Sequence, residues 1–201
     1  MIPLFKPYMS QKAGEEVVRT LYSGYIGEGP KVKEFEEELG RFFSIGKSYS
    51  DIVTVNSATS AEHLIYHILK KPGMYRRMFN QGFYPIVWDG FHRRSKVLST
   101  PITCFATNAP ILHAGLGIKW VDVDPLTLNM DLNDLESKID EHTTVVQIVH
   151  WGGNPIDMDR LEKIVFKAKR KYGHEILIVE DCAHAFPSHD PPSPVVICFI
   201  A

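Results

Sequence analysis

Cysteine is scarce in this sequence, which has 201 residues and only three cysteines, Cys104, Cys182 and Cys198. An odd number without C-x-x-C spacing does not form a disulfide framework, and this favours a reducing compartment. The sequence also lacks the apolar stretch of a signal peptide at its start and any apolar run long enough to span a bilayer. A net charge of -2 gives no indication of nucleic acid or a membrane surface as a partner. We therefore expect a cytoplasmic protein.

What the sequence does contain is an alternation of short β-branched runs and segments with helical spacing. The predicted strands are residues 52–55, 96–99, 118–123, 144–149 and 176–179. The predicted helices are residues 59–70, 107–114, 131–139 and 157–172, with Pro110 in a first turn and Gly173 as a terminator. The expected apolar face of the first helix is Ala61, Leu64, Ile65, Ile68 and Leu69. This order favours an α/β fold with a mostly parallel sheet flanked by helices.

Two segments with reactive or polar side chains follow predicted strands, where α/β sheets usually bind ligands. Residues 56–60 place small hydroxyl side chains at a helix start, which suits either a phosphate or plain capping by Ser57 or Thr59. Residues 180–184 place Glu180 and Asp181 at the end of a buried strand. A buried carboxylate needs a partner, and one known partner is the protonated pyridine nitrogen of pyridoxal 5'-phosphate (PLP).

Other segments allow competing interpretations. Asp181, Cys182 and His184 are possible metal ligands, but their spacing matches no standard zinc pattern, so a metal-binding protein is an alternative and no metal is expected. Residues 150–153 carry two glycines that allow close approach of the backbone to a ligand, or form a simple turn. An aromatic and basic stretch at about residues 75–94 suggests an RNA-stacking surface or, as we expect, an insertion that packs on the domain.

In order along the chain, these pieces resemble one family, the DegT/DnrJ/EryC1/StrS sugar aminotransferases. The resemblance rests on the start at Ile2–Pro7 and on residues 21–36, 56–61, 100–112, 121–131, 149–159 and 180–185. Residues 56–61 are similar to the family's S-G-T-S-A phosphate turn, with Ala58 in place of its glycine. Residues 180–185 are similar to its E-D-x-A-[QH]-A motif.

The resemblance implies the large domain of a fold type I PLP-dependent transferase. It implies a helical N-terminal segment at residues 1–50, a partial PLP-binding domain at 51–186 with the insertion at about 75–94, and a divergent tail at 187–201. By resemblance the PLP phosphate would contact Ala58 and Thr59, the pyridine nitrogen would pair with Asp181, and His184 would lie near the 3-hydroxyl. The ring-stacking position of the T-[FW]-x-A-T segment would fall at Cys104, with Phe105 beside it.

The activity implied is transfer of an amino group, usually from glutamate, to a nucleotide-linked keto sugar, in a homodimer. In the family the Schiff-base lysine follows a strand ending C-F-S-F, which Ile197–Ile200 resemble, and the given sequence stops at Ala201. We therefore expect no catalytic lysine and no C-terminal small domain in this chain, and an inactive, truncated enzyme. The alternative is a non-catalytic binding module that keeps a weak PLP or nucleotide-sugar pocket.

Overall fold

A computed structural model of the chain describes residues 8–42, 52–79 and 82–186. Contacts divide these residues into two compact units, one up to Thr54 and one from Val55 onward. The predicted features at Ile2–Pro7 and in the tail at 187–201 lie outside the described residues.

The first unit contains two helices, α1 (Gln11–Ser23) and α2 (Pro30–Phe42). Ser10 caps α1 by accepting a hydrogen bond from the Ala13 N–H, and Gly24 ends it in the left-handed conformation with a φ of 82°. The strand predicted at residues 52–55 is wrong, because no strand forms there and Val53 is 72% exposed. Thr54 instead donates both its N–H and its hydroxyl to Glu36 Oε1.

A parallel sheet of four strands forms the centre of the second unit. The strands are β3 (Lys96–Ser99), β4 (Gly117–Trp120), β5 (Thr143–Val149) and β6 (Leu177–Asp181), in the order β4-β3-β5-β6. Every residue of β5 and β6 is buried. Apolar clusters lie on both faces of the sheet, which is the arrangement expected of a parallel sheet covered by helices. The predicted α/β class is therefore confirmed.

The helices of this unit are α3 (Ala58–Leu69), α4 (Phe105–His113), α5 (Leu132–Lys138) and α6 (Met158–Tyr172). Helix α6 begins after the cap Asp157 and ends at the left-handed Gly173. Pro110 lies inside α4, so its predicted place in a first turn is wrong, since the helix begins earlier, at Phe105. No described helix combines the length and apolar character that a membrane span requires.

The buried face of α3 differs from the predicted face. Leu64 and Ile68 are 45% and 53% exposed, whereas the buried residues are Glu62, Ile65, Tyr66 and Leu69. This rotation of the helix by part of a turn places a glutamate in the interior. It is the packing against β5 that decides the face, because Tyr66 bonds to Gln147 of that strand.

The stretch expected as an insertion begins within an antiparallel hairpin of β1 (Gly73–Phe79) and β2 (Gly82–Trp88). Trp88 is buried and donates its indole N–H to the Leu69 carbonyl at 2.8 Å. Phe91 lies edge-on to Trp88 and packs against the same cluster. These two aromatic side chains are therefore part of the core and not free for base stacking.

Candidate functional site

Asp181 is the last residue of β6, at the carboxyl edge of the sheet, and is 6% exposed. Its Oδ2 accepts the Thr107 hydroxyl at 2.8 Å, and its Oδ1 accepts the Ala183 N–H at 3.0 Å. Both donors are neutral, and no lysine or arginine among the described residues bonds to it. A carboxylate buried in this way can still accept a further hydrogen bond at each oxygen. The site therefore holds an acid that can pair with a cationic ligand.

The first turn of helix α4 lies beside Asp181, to which its residue Thr107 donates a hydrogen bond. The single hydroxyl proton of Thr107 is donated in the hydrogen bond to Asp181. In the 2.8 Å contact between the Thr103 and Thr107 hydroxyls, Thr103 must therefore be the donor. Cys104 caps the helix without a side-chain hydrogen bond, and Phe105 is 77% exposed. Both residues predicted for ring stacking thus lie at the start of the helix that holds Asp181.

Glu180, the other acid of the motif, faces away from Asp181, as neighbours on a strand do. It is fully buried and its Oε2 lies 3.1 Å from His150 Nε2. His150 Nδ1 accepts the Ile156 N–H at 3.2 Å, so the ring proton of the neutral histidine must be on Nε2 and points to Glu180. This contact ties the segment after β5 to β6.

A proton on His150 Nε2 disfavours metal binding at this nitrogen. The ligand atoms of His150, Glu180 and Cys182 lie within 4.8 Å of one another. A metal at His150 Nε2 would require a fully deprotonated ring, because Nδ1 already accepts a hydrogen bond. The sequence had suggested Asp181, Cys182 and His184 instead. The structure does not bring those together, because Asp181 faces Thr107 while His184 bonds to Gly152.

His184 is positioned by the segment that the sequence singled out for its glycines. The Gly152 N–H donates to His184 Nδ1 at 3.3 Å, and the Trp151 and His184 rings lie 5.7 Å apart. Gly153 has a φ of 82°, and a Cβ there would lie 2.9 Å from the His184 carbonyl oxygen. The close approach that these glycines allow is therefore to the chain itself, and it fixes the turn that carries His184.

The start of α3 forms a second part of the site. Ser57 caps the helix by accepting the Ser60 N–H, and the Ser60 hydroxyl donates to Asn56. The N–H groups of Ala58 and Thr59 lie in the first turn, where no helical carbonyl reaches them. The Thr59 hydroxyl makes no hydrogen bond within the described part of the chain. Capping by Ser57 and anion binding by the next two residues are thus compatible.

Glu62 is a buried acid of α3 that the sequence pattern did not indicate. It lies one turn after Ala58 and is 1% exposed. Its Oε1 accepts the Gln147 side-chain N–H at 3.3 Å, and Gln147 in turn accepts the Tyr66 hydroxyl. Burial, followed by the negative charge of Asp181, raises the pKa of Glu62 to about 9. Glu62 therefore binds a proton more tightly than an exposed glutamate does.

The described residues offer two separate features that suit PLP. An N-terminal helix turn with open N–H groups suits the phosphate, and a buried acid without a basic partner suits the pyridine nitrogen. Of the residues predicted for the cofactor, Asp181 and the Cys104–Phe105 pair are brought together by Thr107. Ala58 and Thr59 lie together at the start of α3.

The chain is similar in sequence and fold to several known proteins. The GDP-4-keto-6-deoxy-D-mannose 3-dehydratase of Yersinia pseudotuberculosis is 30% identical over 89% of this chain. The sugar aminotransferase CalS13 of Micromonospora echinospora superimposes with a TM-score of 0.76 and 39% identity over 93% of the chain. Spr1654 of Streptococcus pneumoniae, a putative sugar aminotransferase solved in a PLP form, superimposes with a TM-score of 0.71 and 31% identity over 92% of the chain.

The chain spans only part of each of these proteins. It covers 39% of the Yersinia dehydratase and 44% of both CalS13 and Spr1654. The model of the DegT/DnrJ/EryC1/StrS aminotransferase family matches residues 7–192. This match takes in nearly all of the sequence, including the phosphate turn and the acidic motif, and the chain belongs to the DegT/DnrJ/EryC1/StrS aminotransferase family.

Proposed function

We propose that this chain supplies the cofactor-binding half of a PLP-dependent enzyme that acts on a nucleotide-linked sugar. The observation that carries the proposal is Asp181, a buried acid whose described partners, Thr107 and Ala183, are both neutral. An unpaired buried charge is costly, so the fold maintains this acid at a cost that a cationic ligand would offset. A protonated pyridine ring is such a ligand.

PLP, when bound, serves as an electron sink for bonds at the carbon that carries the amino group. Asp181 would hold the proton on the ring nitrogen, and Thr107 would fix the orientation of the Asp181 carboxyl group. The N–H groups of Ala58 and Thr59 would bind the phosphate, with help from the Thr59 hydroxyl. His184, held by Gly152, would lie near the 3-hydroxyl, and Cys104 or Phe105 would lie against the ring.

The substrate side of the proposal rests on the relatives. Their names include a sugar aminotransferase and a dehydratase of a GDP-linked keto sugar. We infer a nucleotide-linked keto sugar as acceptor, an amino acid such as glutamate as amino donor, and a homodimer as the assembly. Both reactions need the same contacts to phosphate and ring nitrogen, so the residues described above serve either one.

We further propose that residues 51–186 act as the PLP-binding domain and that its described lysines do not attach the cofactor covalently. Four of these lysines have carboxylate partners other than Asp181, and these pairs are Lys119–Asp140, Lys138–Asp134, Lys167–Glu136 and Lys169–Glu175. The 201-residue chain alone is then expected to bind PLP without turnover. This is the non-catalytic binding module that the sequence left open.

The test is a PLP titration of the 201-residue chain, followed by reduction with borohydride and mapping of labelled lysines by mass spectrometry. We expect saturable absorbance changes and no lysine labelled stoichiometrically. Asp181→Asn should weaken binding about tenfold or more, since hydrogen bonds to charged groups contribute about 1.5–3 kcal/mol. Asp159→Asn, an exposed acid on α6, is the matched control and should leave the affinity unchanged.

Either of two results would overturn the proposal. If PLP binds equally well to the wild-type chain and to Asp181→Asn, Asp181 is not the partner of the ring. If a single lysine is labelled at one equivalent, the chain attaches the cofactor itself, and the proposal of binding without turnover fails.

A further inference from the structure

Glu62 is a buried acid for which the cofactor contacts alone give no role. It lies on the inner face of α3 with Ile65 and Tyr66, and only 1% of it is exposed. An ionised glutamate in such a position needs strong partners, and otherwise the group becomes neutral. Its hydrogen bonds indicate which of these applies.

The direction of the hydrogen bonds around Glu62 is fixed by Tyr66. Burial raises the pKa of Tyr66 well above its ordinary value, so its hydroxyl keeps the proton and donates to Gln147 Oε1. The amide of Gln147 must therefore turn its Nε2 toward Glu62, where Oε1 accepts at 3.3 Å. Glu62 Oε2 has no hydrogen-bond partner within the described residues. A neutral Glu62 thus carries its proton on Oε2.

Asp181 differs from Glu62 in its hydrogen bonds. Each of its oxygens accepts a hydrogen bond, Oδ2 from the Thr107 hydroxyl and Oδ1 from the Ala183 N–H. The titratable groups that face Glu62 are Asp181 on β6, the Cys104 thiol at the start of α4, and Tyr66 on its own helix. None of the three is a cation. Both oxygens of Asp181 thus accept hydrogen bonds, whereas Glu62 has an oxygen, Oε2, that is free to carry a proton.

We propose that Glu62, protonated on Oε2, and Asp181 form an acid pair that carries a single negative charge, with Glu62 as a positioning residue. The pyridinium N–H would then pair with the Asp181 carboxylate. Because Glu62 is neutral, no second negative charge would remain buried when the ring binds. The identity of the ring rests on the proposed function. The acid pair itself does not, because its evidence comes from the chain alone.

The test is carboxyl NMR of the 201-residue chain labelled with ¹³C in glutamate and aspartate, titrated without cofactor. We expect one glutamate carboxyl to titrate far above the ordinary range, at about 9. This signal should vanish in Glu62→Gln and remain in the control Glu141→Gln, whose side chain is exposed. In Asp181→Asn it should titrate at lower pH. In the wild-type chain the chemical shift of the Asp181 carboxyl should change over the pH range in which Glu62 titrates, a sign of coupling that needs no variant.

The proposal is overturned if Glu62 titrates in the ordinary range, or if neither the Asp181→Asn variant nor the Asp181 signal shows coupling. A second titration with saturating PLP tests the positioning role, because a ring cation beside Asp181 should lower the pKa of Glu62. An unchanged pKa with PLP bound would contradict that role. If the wild-type chain binds no PLP while the coupled titration is seen, the proposed function fails and the acid pair stands.

Discussion

Thr107 donates its hydroxyl proton to Oδ2 of Asp181 across 2.8 Å, which joins the start of α4 to the end of β6. The two residues are separated by more than seventy positions in sequence, and both are buried. The contact orients a carboxyl group that meets no cation among the described residues. This hydrogen bond thus fixes the orientation of the central acid of the proposed cofactor site.

Removing this donor should weaken PLP binding without removing the acid. We expect Thr107→Val, which keeps the shape of the side chain, to raise the dissociation constant about three- to tenfold, because one hydrogen bond to a charged group is lost. Thr103→Val, one step further from the acid, should have a smaller effect. A PLP titration of both variants measures the difference. Equal affinities for Thr107→Val and the wild-type chain would mean that Asp181 needs no orientation from α4.

The buried Glu62 should make the stability of the chain depend on pH. Burial raises its pKa to about 9 in the folded state, against an ordinary value of 4.5 for an exposed glutamate. The folded state therefore binds the proton more tightly, so this contribution to stability is complete below 4.5 and is lost as the pH rises toward 9. Relative to Glu62→Gln, the wild-type chain should lose about 1.4 kcal/mol of unfolding free energy per pH unit in this window.

Urea unfolding at several pH values between 5 and 8 measures this slope. Glu141→Gln serves as control, since its exposed side chain should leave the slope of the wild-type chain unchanged. Parallel curves for Glu62→Gln and the wild-type chain would show that Glu62 titrates alike in the folded and unfolded states.

Gly153 is expected to tolerate no side chain. Its φ of 82° is strained for other residues, and a Cβ there would lie 2.9 Å from the His184 carbonyl oxygen. Gly173 has a similar φ of 78° but open space around the position of a Cβ. Gly173→Ala should therefore cost about 1–2 kcal/mol, and Gly153→Ala about 1–2 kcal/mol more because backbone must also move. Urea unfolding measures both variants, and equal losses would remove the steric role of Gly153.

The tautomer of His150 gives an expectation about metals. Because Nδ1 accepts the Ile156 N–H and Nε2 carries the proton toward Glu180, zinc should not bind at His150, Glu180 and Cys182. We expect EDTA to leave the thermal unfolding midpoint of the purified chain unchanged. The metal interpretation would return if EDTA lowered the midpoint, added zinc restored it, and Cys182→Ser abolished both effects.

Much of the fold could be predicted from the sequence, because helix caps and β-branched runs are local features. Asp157 and Gly173 marked both ends of α6, and the β-branched run at residues 144–149 became the fully buried β5. The β-branched run at 52–55 had the same appearance and formed no strand. A strand needs a neighbour to pair with, and its own residues do not reveal whether one exists.

The candidate site, too, was predictable from the sequence only in part. Asp181 could be found from its motif, because strand ends and acids are visible in sequence. Glu62 could not, because the face of α3 was assigned from its leucines and isoleucines. A stripe through Glu62, Ile65, Tyr66 and Leu69 has equally good helical spacing. The burial of these residues and the contact between Tyr66 and Gln147 show that this stripe is the inner one.

The most direct measurement of the central claim is the ¹⁵N NMR spectrum of PLP labelled at its ring nitrogen and bound to the 201-residue chain. The chemical shift of that nitrogen reports whether it carries a proton. We expect a protonated nitrogen in the wild-type chain near neutral pH and an unprotonated one in Asp181→Asn. A bound PLP whose ring nitrogen has the same protonation state in both proteins would contradict the pairing of Asp181 with the cofactor.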